Sequence, residues 1–411
     1  MRHGQAVLIT GIGIVSPIGN DVAEVAQSLL TLRSGIRRID APPLARSYPA
    51  GVVDIDAAAH FDALELPYLD RCQQLAMLAA HQAVTQAGIT DFSACDERAA
   101  LYYGNVAGGS VTRERCHQQL LCEGRQAAAP FAAMAIMGNA AAAQLSIRHR
   151  IRGPVHTFGS ACAASAAAIG EAARAIADGH IDIALAGGAE APLCAGTFFV
   201  FEGARALAAF DRNAPERSCR PFAADRNGLV LGEGAAFLVL ESSSHANRRG
   251  ARELARLAGY GIAADAFHVA APSAEGQARA MRAALQDADY LAESIDYLNA
   301  HATGTPAGDA VEAAAIRSVF GDAVPVSSTK ALHGHLLGAA GALECAITVI
   351  ALRHAMLPAT AFLAQPDPRC ALRHLTGATQ TGQRLRRALS LSCGFGGTNV
   401  ALAVCMEDPQ P

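Results

Sequence analysis

Two stretches of this sequence admit very few structural settings. AASAAAIGEAARAIADG, beginning at Ala163, and LLGAAGALECAITVIALRHA, beginning at Leu336, read as helices that are apolar almost all the way round. A helix without a polar stripe has to be buried on every side, and small Ala and Gly side chains let neighbouring backbones come close. A helical layer held between two sheets meets both conditions. Strand-like runs alternate with helical stretches: VLITGIGIVS near residue 10, ALYYGNVAGG near 102, IDIALAGGAE near 185 and AAFLVLES near 238. After the polar stretch SSSHANRRG, which ends at Gly250, the series repeats with LARLAGYGIAAD, IDYLNAHATGT, VPVSSTK and ALSLSCGFGGTNVALAV. That rhythm is α/β. The expectation is a five-layer αβαβα sandwich of two pseudo-twofold-related halves, residues 1–250 and 251–411.

Composition excludes several classes of function. With 51% hydrophobic and 17% charged residues over 411 positions, the chain can bury a large core. Its net charge is −4 and its basic residues are scattered, so no nucleic-acid partner is expected. The 11 cysteines form no CxxC pair and no His/Cys cluster at zinc spacing, which points away from a disulfide framework and a structural metal and toward a reducing cytoplasm. Gly11, Gly13, Pro17 and Gly19 break the first apolar run, which reads as a strand and turn instead of a signal sequence. The uncharged stretch between Arg125 and Arg148 carries Gln126, Pro130, Gly138 and Asn139, so no membrane span is expected.

Four segments carry candidate chemistry. In HTFGSACAASAAAIG, Cys162 stands at the mouth of the first apolar helix, where unpaired N–H groups favour thiolate over thiol and lower the thiol pKa. The same position also suits a small buried cysteine capping a helix. In NAHATGTPAGD, His301 follows a strand-like run and precedes a turn with Thr303 and Thr305, a placement that serves either catalysis or turn capping. In SSTKALHGHLLGAAG, Lys330, the one lysine among 33 basic residues, precedes His333 and His335 and the second apolar helix. No carboxylate or cysteine sits at ligand spacing nearby except Glu344, well along the helix, so a metal is not expected there. Finally LSCGFGGTN supplies Gly394, Phe395, Gly396 and Gly397, a turn whose backbone N–H groups can converge on an oxyanion. Neither this turn nor GIGIVSPIG matches a dinucleotide fingerprint.

Taken in this order, with IALAGGAEA, RPFAADRNGLVLGEGAAFLVLE and DAFH at 265–268, these segments resemble the β-ketoacyl-acyl-carrier-protein synthases, especially the type II elongating ketosynthases of the thiolase-like superfamily. The resemblance spans nearly the whole chain. It implies a decarboxylative Claisen condensation of malonyl carrier protein with an acyl chain on Cys162, in fatty-acid elongation, with substrates on phosphopantetheine and no further cofactor. Cys162, His301 and His335 would form the catalytic trio, with Lys330 supporting the second histidine through its charge. The N–H groups of Cys162 and Phe395 would hold the acyl oxyanion, and the Phe395 ring would gate the site. Thr303 and Thr305 would bind the pantetheine arm, while Asp309, Glu312 and Glu344 would be supporting carboxylates.

Ala107 matches a position in the acyl tunnel where a larger aliphatic residue is usual, and PFAAMAIMGN at 130–139 would line a partner subunit's tunnel. Departures from the family pattern, namely His333, Cys393 and the GSAC approach to the nucleophile, bear on substrate choice. They raise the alternative of a specialised polyene, polyketide or unusual-acyl ketosynthase. Expected partners are an acidic acyl carrier protein, docking on arginines such as Arg71, Arg125 and Arg205, and a homologous subunit. That subunit is a second copy or a chain-length-factor-like protein. Cys162 and both histidines argue against the chain itself being a non-catalytic chain-length factor, and GFGGTN lacks the cysteine of a degradative thiolase.

Overall fold

The computed structural model describes residues 4–210 and 212–406, so the outermost ends of both expected halves lie outside it. The first strand, Val7–Val15, is buried along its whole length and rich in β-branched residues. Gly13 is required there: a Cβ would run into the backbone of Ala79 and Ala83 on the helix Arg71–Gln86. Gln86 and Gln82 of that helix accept the N–H groups of Ile12 and Ile14 at 2.7 and 3.0 Å, fixing it flat on the strand.

Before Gly250 the pairing runs Val7–Val15, Gly234–Ser242, Ile183–Glu190, Ala99–Gly104, Val155–Phe158, with two antiparallel contacts followed by two parallel ones. After it the run is Ala255–Ala264, Thr398–Cys405, Arg387–Cys393, Tyr297–Asn299, Pro325–Ser327, again antiparallel twice and then parallel twice, with the short strand Arg373–His374 added at the edge. The expected two sheets are joined by hydrogen bonds. Val7, Leu8 and Ile9 pair with Leu257, Arg256 and Ala255, giving one 11-stranded order among the described residues. So short a junction leaves each group free to twist around the helices between them.

Those helices are the two apolar stretches, now seen as Ala164–Ala177 and Ala340–Arg353. They share one central core with the inner faces of both strand groups. A second core lies under Arg71–Gln86 and Ala140–His149, and a third under Ala274–Ala288 and Pro306–Phe320, which completes the five layers. Side chains such as Ile169 and Ile176, with no solvent exposure, each contribute roughly 1.5–3 kcal/mol of transfer free energy.

Each central helix is entered through a 3₁₀ turn, Ala161–Ala163 or Leu337–Ala339. The first residue of each turn is left-handed, Ala161 at φ 47° and Leu337 at φ 45°. Such a conformation costs a non-glycine residue on the order of 1–3 kcal/mol. The structural counterpart of Cys162 is therefore Gly338. His335, which the sequence sets before the second helix as Cys162 stands before the first, lies three residues upstream of that point.

Candidate active site

Cys162, in the middle of the first turn, lines a cavity of about 560 Å³ together with His301, Thr303, Thr305, His335 and Phe395. The thiol is not depressed as the helix mouth suggested. Burial pushes it up to about 12, against the charge of Lys330 and the facing N–H groups of Phe395 and of Cys162 itself. Loss of water costs the thiolate more than the local dipoles return, so the resting group is a neutral thiol.

His301 leaves the strand Tyr297–Asn299 and is pinned by its backbone N–H, which donates to Glu312 Oε1 at 2.6 Å. Lys330 Nζ lies 3.4 Å from His301 Nδ1 and is ion-paired with Glu344, both side chains being fully buried. An ammonium can only donate, so Nδ1 accepts and the imidazole proton sits on Nε2. Lys330 therefore touches His301, and it acts on His335 through its charge. Lys330 opens a single turn, Lys330–His333, that aims its side chain at His301. The chain then turns away through Gly334 (φ 72°), and His335 N–H donates to Val230 O at 2.6 Å.

The two imidazoles meet edge to face, 5.2 Å between centroids. Burial first, and the charge of Lys330 next, hold both well below the ordinary histidine value, so both are neutral. Among the described residues His335 Nδ1 has no hydrogen-bond partner. The ligand atoms of Cys162, His301 and His335 lie within 4.8 Å of one another. One thiol and two neutral imidazoles form a donor set that a soft divalent cation accepts, although the Lys330 ammonium beside His301 opposes one.

The remaining residues support this centre. Thr303 Oγ1 donates to Thr305 Oγ1 at 3.3 Å on the cavity wall. Asp309 accepts the N–H groups of Gly304 and Phe222 at 3.1 and 2.8 Å, holding the threonine turn. The carboxyls of Glu312, Glu344 and Asp309 are raised by burial to about 8, 7 and 6. Phe395 is exposed at the mouth, and its loop is tied to residues 265–269: Gly396 N–H donates to Val269 O at 2.8 Å and Asp265 N–H to Gly397 O at 2.7 Å.

Ala107 and residues 130–139 do not line this cavity, whereas Cys393 does. His333 faces away from it, its Nε2 3.1 Å from Thr329 Oγ1. Of the candidate docking arginines, Arg205 lies at the cavity mouth, Arg71 is paired with Glu233 at 3.1 Å and Arg125 with Glu123 at 3.0 Å.

Two buried residues escaped the sequence reading. Glu190 accepts the N–H groups of Val106, Ala107 and Gly338 at 2.8, 2.9 and 3.1 Å. Arg226 donates to the carbonyls of Thr305 and Pro306 at 3.1 and 2.7 Å and to Asp367 at 2.6 Å. Glu190 is signalled only as a charge inside an apolar, glycine-rich run, and Arg226, between Asp225 and Asn227, carries no such signal.

Residues 5–246 match the model of the β-ketoacyl synthase N-terminal domain, and residues 254–363 that of the C-terminal domain. Nodulation protein E of Rhizobium meliloti (strain 1021) is 40% identical, the match covering 97% of this chain and 98% of the relative. The 3-oxoacyl-[acyl-carrier-protein] synthase 2 of Staphylococcus aureus (strain COL) is 37% identical over 98% of each. The solved ishigamide ketosynthase/chain length factor superposes with a TM-score of 0.91 at 34% identity, covering 98% of this chain and 100% of that one.

Proposed function

The chain belongs to the β-ketoacyl synthase family, and on that premise we propose that it catalyses decarboxylative Claisen condensation on acyl carrier protein, lengthening a Cys162-bound acyl chain by two carbons. The reading is carried by one observation: a thiol facing two backbone N–H groups shares a cavity with two neutral imidazoles.

In the first half-reaction the sulfur of Cys162 attacks the carrier thioester. The oxyanion is met by the N–H groups of Cys162 and Phe395, and the carrier thiolate leaves. Because both imidazoles are weak bases here, the thiol proton ends on the departing carrier sulfur. In the second, malonyl carrier protein loses CO₂, and the thioester oxygen, now an enolate, is held by His301 Nε2–H and an N–H of His335. The enolate carbon attacks the acyl carbonyl, the Cys162 thiolate is expelled, and a 3-oxoacyl carrier protein departs. Lys330 fixes the tautomer of His301, Glu312 and Asp309 fix the turn that follows it, and Thr303 and Thr305 hold the pantetheine arm. The reaction as written requires no metal and no cofactor besides the carrier's own arm.

Arg205 at the cavity mouth is the docking residue for the acidic carrier. Residues 1–250 and 251–411 act as two halves, a division supported by the repeated strand pattern. The edge strand Val155–Phe158 is largely exposed and leads straight to the nucleophile turn, which favours a homologous subunit pairing along it. Exposed Phe131, Met134 and Met137 then face that subunit's acyl tunnel, where Ala107 admits a long or rigid chain. No helix of the described residues is long and apolar enough to cross a membrane.

A second reading is favoured by the likeness to nodulation protein E and to the ishigamide ketosynthase/chain length factor: a specialised ketosynthase paired with a chain-length-factor-like subunit. Incubation with malonyl carrier protein and a panel of saturated and polyunsaturated acyl carriers separates the two. Extension of saturated chains by the protein alone supports fatty-acid elongation. Extension only of polyunsaturated chains, or only with a second subunit, supports the specialised role, and Ala107→Ile then shortens the longest product. No extension of any donor, with or without that subunit, overturns both.

A further inference from the structure

We propose that Cys95, outside the condensing site, is a second reactive thiol of this chain, paired with His245 and oxidised by hydroperoxides to a sulfenic acid. Cys95 lies in the 3₁₀ stretch Ser93–Arg98 and is partly open to solvent. It does not line the cavity of Cys162. Its Sγ is 3.4 Å from His245 Nε2, and the other ring nitrogen, Nδ1, is 2.6 Å from Glu241 Oε2. Glu241 is fully buried and also receives Thr10 Oγ1 and two guanidinium N–H groups of Arg249.

Burial alone would raise the Glu241 carboxyl, but the bonds from Arg249, His245 and Thr10 hold it at about 2, so it is an anion at neutral pH. A carboxylate only accepts. His245 therefore donates Nδ1–H to it, which leaves the Nε2 lone pair pointing at the sulfur. A nucleophile, an imidazole within reach and a carboxylate orienting that imidazole are the three parts of an activated side chain.

The groups around the sulfur pull in both directions. Burial is the largest influence and raises the free thiol, with Glu241 and Asp182 adding to it while Arg249 and Arg248 oppose. His245 Nε2 therefore takes the Cys95 proton as the sulfur attacks, and Glu241 faces the imidazolium that forms. In the reaction the sulfur attacks one oxygen of the peroxide and the O–O bond breaks. The hydroxide released takes the proton from His245 and leaves as water. Cys95–SH and H₂O₂ thus give Cys95–SOH and H₂O, sulfur being oxidised and peroxide reduced.

The test uses the full chain carrying Cys162→Ala, so that the condensing cysteine contributes no signal and the outcome is independent of the proposed condensation. The protein is treated with less than one equivalent of H₂O₂ in the presence of dimedone, and adducts are quantified by peptide mass spectrometry. Cys122, which is exposed, serves as the internal reference. The expected result is labelling of Cys95 on the order of 100-fold above Cys122, the low end of what a positioned base contributes. His245→Gln should bring Cys95 down to the level of Cys122 without altering Cys122. Equal or greater labelling of Cys122, or Cys95 labelling that survives His245→Gln, overturns the proposal. Should that variant fail to fold, the pH profile of Cys95 alkylation by iodoacetamide decides. A rate limb below the thiol range, set by His245, supports the pair, and a profile that coincides with that of Cys122 or lies above it in pH overturns it.

Discussion

Residues 161–163 and 337–339 make the same turn in the two halves, each from a left-handed residue into a buried 14-residue helix, yet the first holds a thiol at its centre and the second holds Gly338. The first opens on the cavity. The second is packed shut: a Cβ on Gly338 would meet Asn105 Cα at 2.6 Å and Glu190 Oε2 at 2.8 Å. The Gly338 N–H instead donates to Glu190, which also holds the loop carrying Ala107. A repeated scaffold delivers two helix mouths to the centre of the molecule. In the proposed mechanism one is used for reactivity and the other braces it, with the imidazoles His301 and His335 supplied from the bracing half.

The largest expected effect breaks the reactive side of this pair. Cys162→Ala should abolish condensation, a loss on the order of 10⁴-fold or more measured by product mass spectrometry. Adding Gly338→Cys should restore nothing. Next, His301→Ala or His335→Ala should each cost roughly 100- to 1000-fold in decarboxylative condensation. Both variants should still take an acyl group onto Cys162, a split that separates the contributions of the two halves in one pair of assays. Gly338→Ala acts on the brace alone. It should destabilise the fold by about 1–3 kcal/mol in denaturant titration through overpacking, while Cys162 remains acylable.

The smallest effect concerns pH. Burial raises Glu190 from 4.5 to about 7, although three N–H groups oppose the shift. A carboxyl with a raised folded pKa binds its proton more tightly in the folded state. Its contribution to stability is full below 4.5 and is lost as pH rises through about 7. Glu190→Gln should flatten that part of the stability-versus-pH curve, a change of about 1–3 °C in melting midpoint between pH 5 and 8.

The five layers were legible because the two helices lack a polar face, and a helix of that kind has one stable setting. Cys162, His301, Lys330 and His335 were legible as short segments whose chemistry is local. What the sequence concealed depends on distance and on burial. The mouth of a helix suggests a depressed thiol, but only the packed structure reveals that desolvation outweighs the dipole at Cys162. Lys330 stands five residues before His335 in the chain, and only the direction of one short helical turn reveals its contact with His301. Glu190 meets Gly338 across 148 positions, and Cys95 meets His245 across 150. Neither pairing leaves a trace in local pattern. The equivalence of Cys162 with Gly338 was hidden for another reason, since a cysteine and a glycine share nothing except the turn they occupy.

The most direct test of the account is the mass of the intact protein after incubation with an acyl carrier protein, followed by peptide mapping. The account predicts a single acyl group on Cys162, absent from Cys162→Ala and discharged as a chain two carbons longer when malonyl carrier protein is added. An acyl group on any other residue, or none with any donor tried, would contradict it.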